Sequence, residues 1–107
     1  MKRISIVALL AASLVLMLPS TADARQVIRA RNSNTFSPSS VSVNRGERVV
    51  WNNVSSRRHT VTATSNNWNK NSSIQAGGHT GFTFNSNGTY RYRCNIHAGM
   101  TGRINVG

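Results

Sequence analysis

The chain has 107 residues, with 13 lysines and arginines against 2 acidic side chains, a formal net charge of +11. Its length leaves room for one small domain, and its single cysteine, Cys94, excludes an intrachain disulfide. A charge of this size argues for anionic partners or for solubility, and says nothing about fold.

Taken in chain order, the first 24 residues read as a secretory leader. Lys2 and Arg3 precede an apolar stretch over 4–18 broken only by Ser5 and Ser13, and Ala22-Asp23-Ala24 supplies the small-x-small pattern of a cleavage site. The apolar run is shorter than the ~20 residues needed to span a bilayer, which favours cleavage after Ala24 over an anchor. The expected organisation is a signal peptide over 1–24, an exported periplasmic domain over 25–107, and no stable membrane insertion. That domain keeps eleven basic residues and one acidic, a net charge of +10; ten of the eleven are arginine and Glu47 is the lone carboxylate side chain. A chain this small with no disulfide has a bound metal ion as the remaining candidate for a cross-link.

Beyond residue 24 no apolar period of 3.6 appears. Short alternating runs predict strands at 27–31, 40–44, 48–53, 59–64, 81–85, 88–94 and 102–106, separated by Asn, Ser and Gly. Seven short strands with intervening turn signals point to an all-β sandwich or barrel. Residues 65–73 are too polar for a core strand and read as a surface excursion. Alternation then orients the side chains. His59 shares the parity of Val61 and Ala63 and points inward where its strand begins. Cys94 shares the parity of Tyr90 and Tyr92 and points inward where its strand ends. With these two strands antiparallel, both residues lie at one end of the sandwich, and the 85–88 turn caps the other. His97 and Met100 follow Cys94 on one tight loop, with Ala98-Gly99 letting the backbone bend.

A thiolate, two imidazoles and a thioether are the donor set of a blue-copper electron-transfer site. Each residue has a plain alternative: buried cysteine, solvated histidine, methionine as core filler. It is the agreement of spacing and parity that favours a metal. A Cys–His nucleophile fits less well, because Cys94 and His97 share one loop and no acidic group is placed to orient a base. Zinc fits less well because methionine is a poor zinc ligand. His79 has no ligand-like spacing and reads as a surface turn residue.

The stretches Thr35-Phe36-Ser37-Pro38, Val41 to Glu47, Val49-Val50-Trp51-Asn52-Asn53, His59-Thr60-Val61 and Gly88 to Gly102 together make the chain resemble a small cupredoxin of the plastocyanin/amicyanin type. The resemblance implies a cupredoxin-like Greek-key β-sandwich of seven to eight strands holding one type 1 copper ion through His59, Cys94, His97 and Met100. Two residues between His97 and Met100 match the short ligand loop of amicyanin-like members. One departure stands out: these proteins carry Asn after the first histidine ligand, tying the ligand loops together, and this chain has Thr60.

The function so implied is that of a non-enzymatic, monomeric carrier of single electrons, with copper binding and handling as the alternative. Arg57, Arg58, Arg91 and Arg93 lie close to the ligands in sequence and are expected to form a basic rim for an acidic redox partner. Nucleic acid is not an expected partner, since the stacking pattern of single-strand binders is missing.

Overall fold

A computed structural model describes residues 25–107; the leader expected over 1–24 lies outside the described residues. They form nine strands: β1 (Arg25–Ala30), β2 (Phe36–Ser37), β3 (Ser40–Val43), β4 (Arg48–Asn53), β5 (His59–Ala63), β6 (Asn71–Ile74), β7 (His79–Thr83), β8 (Gly88–Arg93) and β9 (Thr101–Val106). Two sheets result, one of four strands in the order β2-β1-β4-β7 and one of five in the order β3-β9-β8-β5-β6. β1 runs parallel to β4 and β3 parallel to β9; the other pairings are antiparallel. The all-β sandwich expected from the alternation is the fold found.

All seven expected strands are present, and two more join them. Residues 71–73 fall in the expected surface excursion, yet with Ile74 they pair with β5 as the edge strand β6 (His59↔Ile74, Thr62↔Asn71). An edge strand needs only one buried face and tolerates polar residues on the other, and here Ile74 alone is buried. Strand β2, two residues long, pairs with the end of β1 and is below the length that alternation can reveal.

The interior is filled by inward residues of both sheets, with Ile28, Val49 and Trp51 from one and Val61, Tyr92 and Ile104 from the other. Aromatic rings dominate one half. The Trp51 indole is stacked 6.4 Å from that of Trp68, and the Tyr92 ring meets Trp51 edge-on at 5.3 Å. Trp68 sits in the polar excursion yet packs against this core, donating its Nε1 proton to the Arg91 carbonyl at 3.0 Å. Tyr92 lies over Gly102, its partner in β9, and a Cβ there would overlap the ring. Burial pushes the Tyr92 hydroxyl up to about 12, with the nearby Trp51 indole pulling slightly the other way. One clasp joins the sheets. The Lys70 ammonium donates to Ser72 Oγ beside β5 and to Thr80 Oγ1 and the Gly81 carbonyl in β7. Its three protons are therefore satisfied within the protein.

Candidate metal centre

The site stands where β5 begins and β8 ends. These strands are antiparallel neighbours, with Thr62↔Arg93 and Ala63↔Tyr92 in register, so His59 and Cys94 arrive at the same end of the sandwich. Tyr90, Tyr92 and Cys94 are buried while Arg91 and Arg93 are exposed, as the alternation requires. Past Cys94 the chain turns back at once. The Cys94 amide donates to the Met100 carbonyl at 2.9 Å and the Met100 amide to the His97 carbonyl at 3.3 Å, closing the loop on itself. Gly99 supplies the left-handed residue this turn needs, with φ at +80°.

The donor atoms of His59, Cys94 and His97 lie within 4.8 Å of one another. Cys94 Sγ is 4.0 Å from His59 Nδ1 and 3.4 Å from His97 Nδ1. Ligands at bond lengths of roughly 2.0–2.3 Å around one ion stand about 3–4 Å apart, and the sulfur has that spacing to both imidazole nitrogens. Met100 is buried beside them as the last residue of the loop. Thiolate, imidazole and thioether together suit copper far better than hard cations.

The surroundings prepare His59 as a ligand. Its ring is fully buried, with Nε2 2.9 Å from Ser55 Oγ. That hydroxyl has one proton and two neighbours that only accept, Asn53 Oδ1 at 2.6 Å and the Arg57 carbonyl at 3.0 Å. Toward the ring Ser55 must therefore accept, which puts the imidazole proton on Nε2 and leaves the Nδ1 lone pair facing the sulfur. Asn53 is oriented in turn, since its Nδ2 donates to the carbonyls of Arg57 and Ile74 at 2.6 and 2.9 Å. Burial lowers the His59 pKa, and repulsion from His97 and Arg57 adds to this against the Arg31 carbonyl, so the neutral, ligating form is favoured.

Thr60 ties the two ligand segments together. Its amide donates to Cys94 Sγ at 3.3 Å, and its Oγ1 accepts the Asn95 amide at 2.8 Å. The hydroxyl proton then passes to Thr62 Oγ1 at 3.0 Å, which donates onward to Asn71 Oδ1 at 3.0 Å.

Three of the four candidate ligands, His59, Cys94 and His97, come together, Met100 is buried at the end of their loop, and His79 stands apart at the exposed start of β7. Sequence reading missed Ser55 and Asn53. Ser55 lies in the irregular 54–58 segment, where no periodicity indicates which way a side chain points, whereas Asn53 ends β4 on the inward parity of Val49 and Trp51, a signal that alternation offers. His97 is the least enclosed of the three donors, flanked by Ile96, which is 44 % exposed, and by exposed Ala98 and Gly99. Of the four rim arginines, Arg93 borders the concavity formed by the 94–99 loop, and Arg57 and Arg58 are exposed just before His59. Arg91 lines a separate pocket.

Residues 24–107 match the plastocyanin/azurin family of copper-binding proteins, and the chain belongs to that family. Its cofactor is copper, and His59, Cys94, His97 and Met100 have the arrangement of a type 1 site. Among solved structures, a purple cupredoxin from Nitrosopumilus maritimus is 24 % identical at a TM-score of 0.70, over 77 % of this chain and 99 % of that one. The reduced state of an amicyanin variant is 24 % identical at a TM-score of 0.72, over 82 % and 87 %. A copper-containing nitrite reductase from Thermus scotoductus is 22 % identical at 0.69, and this chain spans 22 % of its length. At these identities the likeness is one of fold. No curated protein matches the chain.

Proposed function

We propose that this protein is an exported carrier of single electrons between larger redox proteins, with His59, Cys94, His97 and Met100 holding one copper ion. Bound copper supplies a one-electron couple between Cu(I) and Cu(II). The observation that carries the reading is the preset donor geometry: two Nδ1 atoms already face one buried sulfur, and one of those imidazoles has its tautomer fixed by Ser55. Donors held in place by strand ends and hydrogen bonds change position little between oxidation states, which suits rapid transfer. Cys94 would bind copper as the thiolate, the two histidines as neutral ligands, and Met100 as a weak thioether donor. The Thr60 amide, pointed at the sulfur, draws electron density from it and helps set the potential.

His97, flanked by exposed Ile96 and Ala98, is the point at which electrons enter and leave. Arg57, Arg58 and Arg93 surround this end with positive charge, and Arg91 extends it along β8. An acidic partner would be steered there and released quickly. The leader over 1–24, cleaved after Ala24, would deliver the domain to the periplasm as a monomer that catalyses no reaction of its own.

The test is addition of Cu(II) to the purified domain, followed by a visible spectrum and voltammetry. An intense thiolate-to-copper band with reversible one-electron cycling is expected, and His59→Ala should abolish both. Tight Cu(I) binding without that band would instead assign the protein to copper handling.

A further inference from the structure

We propose that Arg91 and Arg103, opposed across β8 and β9, form a binding site for a phosphate-like oxyanion on the outer face of the five-stranded sheet. The two residues are direct register partners on antiparallel strands, and both are exposed on the same face. Like charges placed opposite one another in a sheet destabilise it, so the pairing calls for a counterion. The side chains of the described residues offer none. Glu47 is the only carboxylate side chain among the described residues, and its Oε1 is taken within its own turn by the Asn44 amide at 2.5 Å.

Between the two arginines the surface is concave. A pocket of about 380 Å³ is lined by both guanidinium-bearing residues and by Ser39, Ser40, Thr64 and Thr101. Hydroxyl donors beside paired guanidinium groups are the chemistry that recognises a tetrahedral oxyanion. The frame is also stiff. Arg103 Nε donates to Ser40 Oγ at 3.2 Å, which orients its guanidinium. The Arg91 backbone is held on both sides, its amide by Ser65 Oγ at 2.9 Å and its carbonyl by the Thr64 amide at 2.8 Å and the Trp68 indole. Thr101 also lines the concavity of the 94–99 loop, so the anion would sit next to the copper end without sharing a ligand. This site does not depend on the electron-carrier reading.

The test is calorimetric titration of the copper-loaded protein with inorganic phosphate at constant ionic strength, with perchlorate as the comparison. Saturable phosphate binding is expected, weakened at least tenfold by Arg91→Gln and by Arg103→Gln and less than twofold by Arg45→Gln, an exposed turn arginine elsewhere. Thermal unfolding adds a signature that mere damage would not produce. Without phosphate, Arg91→Gln should raise Tm by removing the repulsion; with saturating phosphate, the wild type should be the more stable. Perchlorate matching phosphate, or Arg45→Gln matching Arg91→Gln, would overturn the proposal. Phosphatidylcholine vesicles containing phosphatidic acid separate the two sources of the anion. Sedimentation lost in Arg91→Gln but kept in Arg45→Gln indicates a lipid headgroup, and phosphate binding without such sedimentation indicates a free ion.

Discussion

His59 and His97 face the same sulfur from sides built on opposite plans. His59 opens a strand, is fully buried, and is held through Ser55 by an asparagine that is itself bonded to two carbonyls. His97 stands on a five-residue return between Cys94 and Met100, with exposed neighbours, on a loop closed by its own backbone bonds and tied to β5 at Asn95. The contrast divides the labour of the site. One side sets the geometry of the donors, and the other gives the ion its access to the surface.

The largest effect should come from the atom both sides share. Cys94→Ser should abolish the intense visible band altogether, which absorption after copper addition checks. Next is the aromatic core between the sheets. The Tyr92 hydroxyl has its pKa raised from 10.0 to about 12 in the folded protein, so its contribution is intact below pH 10 and is lost as pH climbs through 12. Two pH units correspond to about 3 kcal/mol, readable as a fall in denaturant stability over that window that Tyr92→Phe removes. On the buried side, Ser55→Ala frees the His59 ring to take the wrong tautomer. Copper affinity should drop by about 10- to 100-fold, the usual result of losing a ligand's hydrogen-bond partner, and competition with a chelator measures it. Thr60→Val keeps the shape but strands the Asn95 amide, at a cost of about 1–2 kcal/mol. Voltammetry should show a shifted potential as the two ligand segments loosen. The smallest effect falls on the exposed side. Gly99→Ala meets open space but must adopt φ +80°, costing about 1 kcal/mol in chemical denaturation while leaving the blue band in place.

What was legible in the chain follows the same divide. Alternation located His59 and Cys94, since a strand's parity decides which face a side chain takes, and the tightness of the loop brought in His97 and Met100. Thr60 was visible only as a departure, because its role depends on a hydroxyl reaching a backbone amide 35 positions away. Ser55 gave no signal, because irregular backbone has no period to read, whereas Asn53 shares the inward parity of Trp51 at the end of β4. Strand β6 was hidden by its composition: with Ile74 as its one buried residue, it looks like the loop that precedes it. The opposition of Arg91 and Arg103 is likewise a matter of register between strands, which depends on pairing rather than on either segment alone.

The two indoles give the molecule an internal optical probe. Trp51 is sealed from solvent, Trp68 is only partly covered, and their rings are stacked close enough to exchange excitation. Because Trp68 also grips the Arg91 carbonyl, its emission should respond when the backbone beneath the arginine pair shifts. Intrinsic fluorescence can thus follow unfolding of the sandwich and occupancy of its outer face in one sample, with no label attached.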